Sequence, residues 1–70
     1  MTERERIGAR IAELRKQKGL TQEQLAEKSG YTRSNIWSVE NGRYAVRLDI
    51  LANIADALDA SVEIIRRNEL

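Results

Sequence analysis

Between Thr21 and Gly42 the sequence TQEQLAEKSGYTRSNIWSVENG starts and stops a helix twice in quick succession. Thr21 and Gln24 have the spacing of a capping box, in which each side chain satisfies a free amide at a helix start. Ser29-Gly30 then breaks that helix, and Thr32 is placed to cap a second one. Tyr31, just outside this cap, is positioned to pack on Ile36 as a hydrophobic staple. Asn41-Gly42 is a strong stop, so the second helix runs from Arg33 to about Glu40. Leu25 and Ala26 on the first helix, and Ile36 and Val39 on the second, are the inward residues. Two short helices joined by a break of about four residues, each with one apolar side, are the result.

The flanking segments supply the remaining core. Thr2 and Glu5 form another capping-box spacing, followed by Ile7, Ile11 and Leu14 on one helical stripe. Gly19 ends that helix near Lys18, where Arg15, Lys16 and Lys18 suit the negative end of the helix dipole. After a polar loop, Leu48, Leu51, Ile54, Ala55 and Leu58 give a fourth helix, about Leu48 to Leu58, with an apolar face broad enough to be central. From Ala60 to Leu70 the β-branched Val62, Ile64 and Ile65 suit a strand, yet Val62 and Ile65 also share a helical face. The balance leans slightly to a short helix.

The whole, residues 1–70, reads as one all-α domain with no linker or repeat. A chain of this size buries only about 60% of its unfolded surface. It has no cysteine for a disulfide and no histidine, so its stability must come from helix packing or from association of copies. Neither a metal nor a cofactor is expected. A hydrophobic share of 41% with 33% charged residues suits a folded domain rather than a disordered tail. No apolar run approaches the ~18 residues of a membrane span, and Met1 to Arg10 lacks the apolar part of a secretion signal. A cytoplasmic location is the expectation.

Catalysis is the least expected role. Without His or Cys it would rest on Ser, Lys or paired carboxylates, and the carboxylates lie among arginines on predicted helix surfaces. Gly8, Gly19, Gly30 and Gly42 are too dispersed to cradle a phosphate. The formal net charge of +1 favours no partner by itself, but its distribution is uneven. Arg33, Arg43 and Arg47 face a single acid, Glu40, between Tyr31 and Arg47, whereas Leu48 to Ala60 carries Asp49, Asp56 and Asp59 with no Arg or Lys. Positive charge therefore gathers around the third helix and its loop, where a phosphate backbone could lie.

Two capped short helices around a tight glycine-containing turn have the geometry that lets the second protrude into a DNA groove. LTQEQLAEKSGYTRSNIWSVENG followed by LDILANIADAL resembles the helix-turn-helix family of phage repressors and Xre-type regulators, over about Ile7 to Ile65. The resemblance implies a compact lambda-repressor-like DNA-binding domain of four to five helices. It also implies a sequence-specific transcriptional regulator, in the first instance a repressor. By resemblance Arg33, Ser34, Trp37 and Ser38 read bases, and their spacing agrees, since they form the face opposite Ile36 and Val39. Arg33 is the best donor for a guanine edge. Trp37 has an alternative use, packing on Tyr44 or between copies.

Phosphate contacts fall by the same resemblance to Gln22, to Thr32 at the positive end of the third helix, and to Asn41 and Arg43, with Tyr44 and Arg47 as additions. Arg15 and Glu40 correspond to a pair that links helix 1 to the end of helix 3 in some phage repressors. Val46-Arg47 departs from the Pro-Ser that commonly introduces the fourth helix, and Asp59 from the glycine that commonly follows it. The expected partner is a palindromic double-stranded operator bound by a homodimer. An alternative remains open, because such domains also resemble antitoxins that bind a toxin and repress their own operon.

Overall fold

The computed structural model describes residues 1–43 and 45–67, so Tyr44 and the last three residues lie outside the description. Among the described residues there are four helices: α1 Glu3–Gln17, α2 Gln22–Ser29, α3 Arg33–Glu40 and α4 Leu48–Ala57. Three of them start as the sequence predicts. The hydroxyls of Thr2, Thr21 and Thr32 accept from the N–H of Glu5, Gln24 and Asn35, and the first two caps are completed by the Glu5 and Gln24 side chains reaching back. α4 starts at Arg47 with no side-chain cap, which is the local cost of losing a Ser-type cap there.

All four helices close in one way. A residue in the left-handed conformation follows the last turn, and its N–H and the next one fold back onto two carbonyls of that turn. Gly42 donates to Val39 and Arg43 to Ser38, as Gly30 does to Glu27 and Tyr31 to Ala26. At the end of α4 the position falls to Asp59, whose φ of 54° is unusual for a residue with a Cβ. Asp59 N–H and Ala60 N–H nevertheless reach Asp56 and Ala55 at 3.0 and 2.8 Å. The side chain of Asp59 also pairs with Lys18 at the end of α1, and that ammonium holds its carboxyl below the usual range.

The core draws on every helix. Leu25, Ile36 and Ile54 are completely buried, joined by Ile11, Ala26, Val39 and Leu58, and each large apolar side chain so buried contributes roughly 1.5–3 kcal/mol. Tyr31 is half-buried against this cluster, in keeping with the staple position. α3 packs against both α1 and α2, and α2 packs on α4. The approach of α1 to α3 depends on Gly8: a Cβ there would stand 2.2 Å from the Val39 carbonyl oxygen, inside any allowed contact.

Two expectations are corrected. Leu48, placed by its spacing on the core stripe of α4, is 71% exposed, and Ile50 packs against the core instead. In the first turn of α4 the core-facing side therefore runs through Ile50 and Leu51 rather than Leu48. The tail is neither helix nor strand through Arg67. Its β-branched residues disfavour a short isolated helix and it has no neighbouring strand to pair with among the described residues, so Val62, Ile64 and Ile65 stay exposed.

Candidate nucleic-acid interface

α3 owes its prominence to how little of it the core uses. Ile36 and Val39 are buried, whereas Arg33, Ser34 and Trp37 are exposed and Ser38 is half-buried. The last four line a single shallow concavity on the outer side of the helix. The residues predicted to read bases are therefore brought together on one face. Thr32 leads into it, its Oγ1 accepting from Asn35 N–H at 3.1 Å, and no acid stands in the first turn of α3 to offset the positive helix end.

Behind this face lies a polar lock. Arg15 Nε and Nη2 donate to the two carboxylate oxygens of Glu40 at 2.6 and 3.1 Å, and Arg15 Nη1 donates to the Leu20 carbonyl at 2.8 Å. Only 11% of the Arg15 side chain and 5% of the Glu40 side chain reach solvent. The link implied by resemblance is thus present. It is also larger than a pair, because Gln22 Nε2 donates to Glu40 Oε1 at 3.0 Å. A two-pronged guanidinium contact with the extra amide donor offsets the desolvation of both charges, and the assembly ties the end of α1 and the start of α2 to the last residue of α3.

The other predicted phosphate contacts occupy distinct settings. Gln22, at the first position of α2, has one amide hydrogen committed to Glu40, which orients the group and leaves its second hydrogen for another acceptor. Asn41 Nδ2 donates to the Trp37 carbonyl at 2.8 Å, closing the end of α3. Arg43 follows that closure, with its guanidinium carbon 5.6 Å from the centre of the Trp37 ring. Arg47 is set apart at the start of α4, where its Nη2 meets Asp49 at 3.2 Å with both side chains largely exposed. Tyr44 lies outside the described residues.

Sequence reasoning passed over two features that shape this surface, the packing role of Gly8 and the bond between Gln22 and Glu40. The role of Gly8 is signalled by its place inside a predicted helix, where a glycine costs about 1 kcal/mol relative to alanine and so asks for a packing reason. The Gln22–Glu40 bond has no such signal, since the two residues are far apart in sequence and meet only when α2 and α3 pack. Among the described residues no cluster of His, Cys, Asp or Glu is placed to hold a metal ion, and no helix is long and apolar enough to cross a membrane.

Comparison with known proteins adds to this geometry. A family model for a helix-turn-helix domain matches residues 6–67. An HTH-type transcriptional regulator of Methanothermobacter thermautotrophicus is 52% identical over 48 residues, covering 69% of this chain and 70% of the relative. The immunity repressor protein of Bacillus phage phi105 is 42% identical over 84% of this chain, which spans 41% of that repressor's length. Among solved structures, the clp gene regulator ClgR from Corynebacterium glutamicum superposes with a TM-score of 0.86 at 37% identity, over 89% of this chain and 80% of that one. The restriction-modification controller protein C.AhdI from Aeromonas hydrophila gives 0.79 at 44% identity, over 81% and 86%.

Proposed function

This chain belongs to the helix-turn-helix domain family of DNA-binding transcriptional regulators, and we propose that it represses transcription by setting α3 into the major groove of an operator. The observation that carries the reading is the outer face of α3, where Arg33, Ser34 and Ser38 line one concavity while Ile36 and Val39 anchor the opposite side. Arg33 donates to a guanine edge, and the two serines donate or accept according to the base they meet. Thr32 and the positive end of α3, Gln22, Asn41 and Arg43 meet phosphates and set the register, with Tyr44 and Arg47 extending the contact. Occlusion of a promoter by the bound protein is the simplest route to repression, and the likeness to a phage immunity repressor supports it.

Two copies placing their third helices about 34 Å apart would read a palindromic operator in successive major grooves. The exposed Leu48, Val62, Ile64 and Ile65 support pairing through α4 and the tail. A single-copy mass in analytical ultracentrifugation, both free and on DNA, would overturn the pairing. The similar proteins are regulators and repressors and give no support to the antitoxin alternative. A cytoplasmic location accords with this role.

Selection of bound duplexes from a random pool, followed by affinity at several salt concentrations, tests the function. One enriched motif is expected, with affinity falling as salt rises. Failure to enrich any motif, or affinity indifferent to salt, would refute it. Within that motif Arg33→Ala is expected to cost about 1–3 kcal/mol and relax choice at one position, whereas Arg43→Ala weakens all duplexes alike and lowers the salt slope by about one.

A further inference from the structure

Trp37 is the sole tryptophan of the chain, and it stands among the base-reading residues with 46% of its surface exposed. Its ring is not open on both sides, because the Arg43 guanidinium lies over it at 5.6 Å, within the range of attraction between a cation and an aromatic face. The backbone fixes both partners. Asn41 N–H and Asn41 Nδ2 each donate to the Trp37 carbonyl, and Arg43 N–H donates to the Ser38 carbonyl at 2.9 Å, so the chain turns back along α3 as it leaves the helix.

We propose that Trp37 is a positioning residue: its indole face holds the Arg43 guanidinium at the exit of α3, so that Arg43 meets the DNA backbone already oriented. A cation–π contact draws on the charge of the guanidinium and does not use up its hydrogen-bonding capacity, so N–H donors stay available to a phosphate. An arginine side chain otherwise loses substantial rotamer freedom when it binds, and a side chain already stacked loses less. Trp37 on this account contributes to affinity through Arg43 and carries no choice of base. The inference rests on the DNA-binding reading for its consequence, but the stacked pair itself exists without DNA.

The test has two arms. In free protein, NMR should show the Arg43 Hδ and Hε resonances displaced upfield by the indole, a displacement lost in Trp37→Ala and retained in Trp37→Phe. Random-coil shifts for Arg43 in the wild-type chain would overturn the proposal whether or not DNA binds. In the second arm, affinities for the selected duplex and for an unrelated duplex are measured for Trp37→Ala, Trp37→Phe, Arg43→Ala and the double alanine variant. Trp37→Ala should weaken both duplexes alike by about two- to fivefold, Trp37→Phe should recover most of this, and the double variant should bind no more weakly than Arg43→Ala alone. A change of preferred base in Trp37→Ala, or effects that simply multiply in the double variant, would overturn it while leaving the DNA-binding reading intact. An Arg43→Ala variant with unaltered affinity would overturn it together with the phosphate role of Arg43.

Discussion

The ends of α3 and α4 close with the same backbone hydrogen bonds, yet they are secured by different means. At the end of α3 a glycine takes the left-handed position, the buried Arg15–Glu40–Gln22 lock holds the last helical residue, and α1 presses against it at Gly8 and Gly42. At the end of α4 the left-handed residue is Asp59, and what holds it is a solvent-exposed pair with Lys18. The loop after α4 then runs into an irregular tail with Ile64 and Ile65 exposed. The helix proposed to read DNA is therefore bound at its far end to two other helices by buried polar contacts, while the end of α4 rests on the apolar burial of Leu58 and one surface pair. A reading helix must hold its side chains to the geometry of base edges, and a lock behind its last turn serves that need without using the outer face.

The sharpest way to break this contrast is Glu40→Ala, which strands Arg15 in a largely dehydrated site and should destabilise the domain by about 3–5 kcal/mol in urea unfolding. A loss below about 1 kcal/mol would mean that the lock is no more than a surface pair. Next comes Gly8→Ala, where the added methyl meets the Val39 carbonyl and α1 must move off α3; a cost of about 1–3 kcal/mol is expected, despite alanine being the better helix former. Unchanged or raised stability would show that the two helices do not approach so closely.

Asp59→Gly works in the opposite direction. Relief of the left-handed strain should raise stability by up to about 1 kcal/mol, reduced by the loss of the Lys18 pair. Destabilisation would show that the exposed pair outweighs the backbone strain. The smallest effect concerns acid. The carboxyls of Glu5 and Asp59 titrate below their ordinary values, Glu5 mainly through the Thr2 backbone N–H and Asp59 mainly through its hydrogen bond with Lys18. A lowered folded value means that the stability each contributes is full above the ordinary carboxylate range and is lost as pH falls through the folded value. Thermal melts should therefore fall slightly between pH 5 and 3, and Glu5→Gln should shrink that fall.

Most of the helical frame was legible because its signals are local. Thr2, Thr21 and Thr32 act on amides three residues ahead, and Gly19, Gly30 and Gly42 act on carbonyls of the preceding turn, so no tertiary knowledge is needed to place the boundaries. The outer face of α3 was legible for a related reason: once Ile36 and Val39 are assigned inward, helical spacing leaves Arg33, Ser34, Trp37 and Ser38 outward. The tail was not legible, because Val62 and Ile65 satisfy strand and helix periods equally and only a packing partner could choose between them. Leu48 misled for a similar reason, since Leu48 and Ile50 are both apolar and only packing decides which of them turns to the core.

The sequence by itself thus determined where each helix starts and stops, which residues of α2 and α3 turn inward, and the concentration of arginines around α3, all consequences of spacing within a few residues. Tertiary structure alone decided that Gln22 is oriented by Glu40, that Gly8 admits α3 against α1, and that Arg43 lies over Trp37. The first two contacts join residues separated by one or more helices, and the third depends on the angle at which the chain leaves α3. The first two appear only when the helices pack, and the third only once the closure of α3 and the side-chain directions at its exit are fixed.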